Sequence, residues 1–151
     1  MKFRTRRDIT FKLIFAGISL LLFILIAESF LFTEFSKDYV VVFDAIIAVI
    51  WIFIIWIFLD TKYYVTDKYL VYRSGPLYGK ILLKNIKKII VDKTAWSGPK
   101  KIALARFGLL IYYDLNKEIY ISPKTNKTFV DYIKTKNPDI EIEQYERYIV
   151  K

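Results

Sequence analysis

Two carboxylates stand where a carboxylate is costly. Glu28 and Asp44 each interrupt an otherwise uncharged apolar run. An acid in hydrocarbon is expensive enough that it often marks a proton or ion pathway. If the two faced each other, one would hold a proton, because neighbouring like charges raise one of the two pKa values. The alternative is that both reach the outer interface or pair with Lys37. The residues favour this alternative, since two helices alone enclose a site poorly.

The second set is basic. Lys84, Lys87, Lys88, Lys93, Lys100 and Lys101 crowd one stretch, with Trp96 in the loop among them. Beside an anionic leaflet each lysine contributes on the order of 1 kcal/mol of attraction, and Trp settles at the interface. These seven residues are the expected membrane-surface contact. The competing reading is that the lysines solubilise a β surface and Trp96 packs on the core. Side chains on alternating strand faces cannot all converge, which argues against one specific head-group site.

Nothing else in the chain carries chemistry. With no Cys and no His, disulfides, thiolate or imidazole metal sites and His- or Cys-based catalysis are excluded. Gly17, Gly75, Gly79, Gly98 and Gly108 are too scattered for a phosphate loop. Asp92, Asp114 and Asp131 sit in turn or helix contexts. The expectation is a non-enzyme with no cofactor and no metal. No RNA-binding motif appears, so nucleic acid is not expected as a partner.

The elements that hold these residues divide the chain sharply. Of 151 residues, 55% are hydrophobic, above the 45–50% usual for soluble domains. Most of the excess lies in 13–59. Leu13–Phe32 and Val40–Leu59 are two spans of about 30 Å each, the thickness of the hydrocarbon core. The short link Thr33–Tyr39 makes them an antiparallel hairpin. Net charge is +9. Lys2, Arg4, Arg6, Arg7 and Lys12 precede the first span, and Lys62 and Lys68 follow the second. The positive-inside rule then puts both termini in the cytoplasm of a multi-pass plasma-membrane protein. A cleaved signal peptide is disfavoured by the length of the first run and by the second span.

Beyond Asp60 the period changes. Tyr63–Thr66 and Tyr69–Arg73 read as strands joined by a turn at Asp67-Lys68. Ser74-Gly75-Pro76 is a turn. Strands follow at 78–83, 86–91, 102–107, 109–113 and 118–121, with a loop over 92–101 and a bend at Gly108. A helix then starts with Ser122 as N-cap and Pro123 in its first turn. Phe129, Val130 and Ile133 form its apolar face, and Asn137-Pro138 ends it. The fold class expected is a membrane α-helical hairpin plus α+β: two transmembrane helices followed by a PH-like β-roll of about seven strands with one C-terminal helix. The divisions are a basic cytoplasmic tail at 1–12, the hairpin at 13–59, the PH-like domain at 60–137, and a tail or edge strand at 138–151.

The runs Tyr63-Tyr64-Val65-Thr66-Asp67, Leu70–Pro76, Ile81-x-Leu83-x-x-Ile86 and Ile119-x-Ile121-Ser122-Pro123, with Phe129, resemble the YyaB-like bacterial PH domain family. That family includes the sublancin immunity protein, a membrane-anchored bacteriocin-resistance factor. The resemblance covers about residues 60–140. Members often carry a Ser and an Arg ahead of the sixth strand. Here Ala105 stands in place of the Ser, and Arg106 is out of register. The resemblance implies a fold and a topology and no reaction. The function expected is a membrane-anchored, non-catalytic binding or scaffold module. Bacteriocin self-immunity is the alternative the resemblance offers, and carboxylate-dependent ion or enzyme function is the third. Expected partners are membrane lipids of an anionic inner leaflet, a protein or peptide, and a second copy of the chain.

Overall fold

Alternation along each strand decides which side chains enter the core. In β2 (Lys62–Val65) Tyr63 and Val65 are buried; in β3 (Tyr69–Ser74) Leu70, Tyr72 and Ser74 are. The computed structural model describes residues 1–31, 37–95 and 100–145. Besides β2 and β3 it contains β1 (Lys2–Arg4), β4 (Leu77–Leu82), β5 (Ile86–Lys93), β6 (Lys100–Ile102), β7 (Gly108–Tyr113), β8 (Lys117–Ile121) and β9 (Glu141–Gln144). Among the described residues three α-helices accompany them, α1 (Ile9–Leu31), α2 (Lys37–Leu59) and α3 (Asn126–Lys136), with a 3-10 turn at Leu83–Asn85.

The strands form two sheets, ordered β1-β2-β3-β4 and β6-β8-β7-β5-β9. Their inner faces meet α3 in one core, where Tyr63, Leu70, Ile89, Ile111, Ile121, Phe129 and Ile133 are fully enclosed or nearly so. A smaller cluster, Ile90, Leu110 and Tyr120, lies on the other face of the second sheet. That is why Leu109, Leu110 and Ile111 are buried in succession. The two-helix hairpin and the PH-like roll closed by a C-terminal helix are as the sequence implied.

Several local expectations change. Residues 1–12 are not a free tail. Phe3, between two exposed cations, enters the core and meets Phe129 edge-on at 4.9 Å. This docks β1 antiparallel on β2, so the whole helical hairpin is inserted between two neighbouring strands. Residues 103–107 are not a strand. Arg106 and Phe107 give their carbonyls to the Arg6 guanidinium, and Phe107 has a positive φ of 53°. β7 therefore begins at Gly108, where a Cβ would lie 2.2 Å from the Ile121 carbonyl oxygen.

Ser122 is not the helix cap. Its hydroxyl accepts the Leu104 N–H at 3.0 Å and its carbonyl accepts the Arg6 N–H at 2.7 Å. Committed to the sheet, it leaves Thr125 at the cap position of α3. The expected loop at 92–101 shrinks, because β5 runs on through Lys93 and β6 begins at Lys100. From the segment 138–151, β9 adds a parallel edge strand to β5.

Helices α1 and α2 are long and apolar enough to cross a membrane. Their sides are bare: none of the apolar window in the first is buried, and 6% of that in the second. A core helix of a soluble fold would be covered on most sides. Phe15 stacks on Phe58 at 4.1 Å where the two helices meet near their domain-side ends.

Candidate functional site

The helix ends enter the β domain through three fastenings. Asp8 is the first. Its Oδ1 accepts the Phe11 N–H at 3.0 Å, so it caps α1. Its Oδ2 accepts the backbone N–H of Arg106 at 2.7 Å, with the Arg106 Nε at 3.4 Å. Burial pushes the Asp8 pKa up, but the Arg106 and Phe11 N–H groups and the Arg106 charge outweigh it and hold the carboxyl below its ordinary value. Arg106, out of place for the resemblance, thus has a structural partner.

The second fastening is the β3–β4 turn against α2. Gly75 has a positive φ of 55° and lies so close to α2 that a Cβ would be 3.0 Å from the Ile57 side chain and 3.3 Å from its backbone. Beside it, the Thr61 hydroxyl donates to the Ile57 carbonyl at 2.7 Å and shares a buried hydrogen bond with Ser74 at 2.8 Å. The third is Arg7, which donates to the Leu59 carbonyl at 3.0 Å and lies over the Phe58 ring.

Between these fastenings a cleft of about 330 Å³ opens, lined by Lys2, Arg4, Arg7, Lys62, Asp60 and Leu59 among others. Four cations face one acid. Asp60 is already engaged by Lys62 and by the Arg73 Nε at 2.7 Å. The Lys62 hydrogen bond lowers the Asp60 pKa against a smaller opposing effect of burial, and Asp60 in turn raises that of Lys62. The buried Nε of Arg7 has no hydrogen-bond partner among the described residues. A concave, cationic site of this kind can hold an anion. Among the described residues no cluster suited to a metal ion occurs.

The residues singled out from sequence are not gathered into one site. Strand direction settles where each lies. β3 runs toward the helix-bound Gly75, so β4 ends at the far side of the domain, where Lys84 and Lys87 follow it. Lys88 is tied to β9, 3.1 Å from Glu141 and hydrogen-bonded to Glu143. Its charge is therefore matched. β5 returns toward the helices, so Lys93, paired with Gly108, lies at the near end, its Nζ 5.8 Å from the Tyr145 ring. Lys101 lines a small apolar cavity with Phe11 of α1. Lys100 donates to the Tyr72 hydroxyl at 3.1 Å. Trp96 lies outside the described residues.

Glu28 and Asp44 are not hydrogen-bonded to each other among the described residues. Glu28 is on the exposed side of α1. Asp44 accepts from the Ser29 hydroxyl at 2.6 Å, and its other oxygen is buried without a partner. A step of one residue turns the helix by about 100°, which is why Ser29 and not Glu28 meets α2. The sequence shows the cleft's cations only as flanks of the apolar runs, and the Lys2-Phe3-Arg4 alternation is the one local sign that they belong to a strand.

A family model described as "Bacterial PH domain" matches residues 61–137, half of the chain. The chain belongs to the bacterial PH domain family. An uncharacterized protein YyaB of Bacillus subtilis (strain 168) is 34% identical over 90 residues. That match covers 59% of this chain and 61% of the relative. No solved structure matches. In this bacterial PH domain the family match begins at Thr61, immediately after α2, so β1 and the hairpin lie outside the matched region although β1 completes the first sheet.

Proposed function

We propose that this chain is a non-catalytic, membrane-anchored binding module. Helices α1 and α2 cross the plasma membrane, and the PH-like domain rests on its cytoplasmic face with both termini on that side. The observation that carries this reading is the insertion of a bare apolar hairpin between two paired strands. β1 and β2 are antiparallel neighbours, so the chain must leave the domain and return to the same side. The apolar flanks of α1 and α2 are left uncovered by the described residues, and lipid is the solvent that removes that cost. Arg6, Arg7, Lys12 and Lys62 cluster at the domain-side ends, in keeping with a cytoplasmic domain.

The domain then works as a holder of a lipid, protein or peptide. Lys93 and Lys101 are the members of the lysine-rich stretch nearest the membrane surface in this arrangement. The test is fractionation of cells expressing the full chain, with an alkaline carbonate wash of the membrane pellet. The protein is expected to stay with the pellet, as integral proteins do. Release of the full chain into the supernatant would remove the reading.

A further inference from the structure

We infer that the cleft at the foot of the hairpin is a binding site for a phosphate-bearing anion, held by Lys2, Arg4, Arg7 and Lys62. Three independent observations support this. First, the charges are unbalanced: four cations line the cleft against one acid, Asp60, which Lys62 and Arg73 already hold. Second, the Arg7 guanidinium is fixed from two sides, by the Leu59 carbonyl at 3.0 Å and by the Phe58 ring 4.9 Å away. Held in one place at the cleft wall, it loses little further freedom when an anion binds. Third, the volume of about 330 Å³ is that of a small-ligand pocket and fits a phosphate with its first ester substituents.

Chemistry selects phosphate. Arg forks match its tetrahedral oxygens, and lysines add point charge. Position selects the source. The cleft opens at Leu59, the last residue of α2, where a lipid head group would lie if α2 spans the bilayer. Basic pockets at the cytoplasmic ends of transmembrane helices are suited to anionic head groups. Only the choice of source rests on the membrane reading; the anion site rests on the cleft.

The experiment uses the full chain in neutral detergent micelles, with native mass spectrometry as the readout and dioleoyl phosphatidylglycerol as the probe. Dioleoyl phosphatidylcholine is the zwitterionic control. The variant pair Lys2→Ala/Arg4→Ala removes two exposed cations of the cleft. Lys84→Ala/Lys87→Ala removes the same charge from the far end of the domain. The expected result is retained phosphatidylglycerol with little phosphatidylcholine. Apparent affinity should fall at least tenfold in the cleft variant and less than twofold in the far-end variant. Inorganic phosphate is titrated in parallel. If it binds the lipid-free chain as tightly and displaces the lipid, the site stands and its source is free phosphate. Equal losses in both variants, or no phosphate-containing ligand retained, would overturn the proposal. Because the assay is in detergent, either result is independent of whether the carbonate wash succeeds.

Discussion

Replacing Asp8 by Ala should loosen the seam between α1 and the β domain more than any other exposed or half-exposed change near it. The side chain does two jobs. It caps α1 through the Phe11 N–H, and it accepts the Arg106 N–H. Losing an N-cap acceptor costs about 1 kcal/mol. Stranding a partly buried N–H costs about 1–3 kcal/mol more. The Asp8 side chain is 20% exposed, so water replaces part of what is lost and the lower end applies, a total of about 2 kcal/mol. At about 1.36 kcal/mol per tenfold, amide hydrogen exchange at Phe11 and Arg106 should accelerate roughly thirtyfold. The far amides of β3 and β4 should be unaffected, since local openings need not spread. Asp8→Asn has one acceptor oxygen where Asp8 uses two, so it should recover protection at Phe11, where Asn is a good cap, and leave Arg106 exchanging fast. The assay is exchange followed by mass spectrometry on the full chain in micelles. Less than a threefold change in Asp8→Ala at both amides would refute the reasoning.

The remaining predictions concern the same seam and the hairpin. Gly75→Ala combines a positive φ with a contact on the Ile57 backbone, so it should lower thermal stability by about 1–2 kcal/mol; an unchanged melting curve would contradict the packing. Ser29→Ala should weaken the α1–α2 contact by about 0.6 kcal/mol, a typical interhelical hydrogen bond in lipid, while Glu28→Leu should leave it intact. Steric-trap unfolding in bicelles can compare the two, and a larger effect at Glu28 would be against the arrangement. Asp8 and Asp60 both have depressed pKa values. The stability they add is fully present above the ordinary unfolded value of about 3.9 and is lost as pH falls through their lower folded values. Stability should therefore be flat in their contribution from pH 7 to 5 and fall below about pH 4, with a smaller acid loss in Asp8→Asn. A decline centred near pH 6 would contradict the assignment.

Much of the architecture was legible because it is written in period. The two apolar runs, the alternating strands from Tyr63 onward and the Phe129-Val130-Ile133 face each declare an element through burial alone. What escaped was long-range. Ser122-Pro123 has the local chemistry of a helix start, but Arg6 and Leu104 claim its polar groups from distant parts of the chain. Residues 103–107 have strand-like composition, yet the Arg6 guanidinium bends them away. Lys2-Phe3-Arg4 is too short to read as a strand until β2 is there to pair with it. The lysine-rich stretch looked like one surface only because it is contiguous in sequence; successive strands carry its members to opposite ends of the domain.

Cysteine accessibility tests the central claim most directly, and the natural chain, having no Cys, gives no background. Tyr39→Cys lies at the start of α2 and Lys124→Cys on the exposed surface of the domain. A membrane-impermeant maleimide added to intact spheroplasts should label Tyr39→Cys, and should reach Lys124→Cys only after lysis. Labelling of Lys124→Cys in sealed spheroplasts would contradict the account.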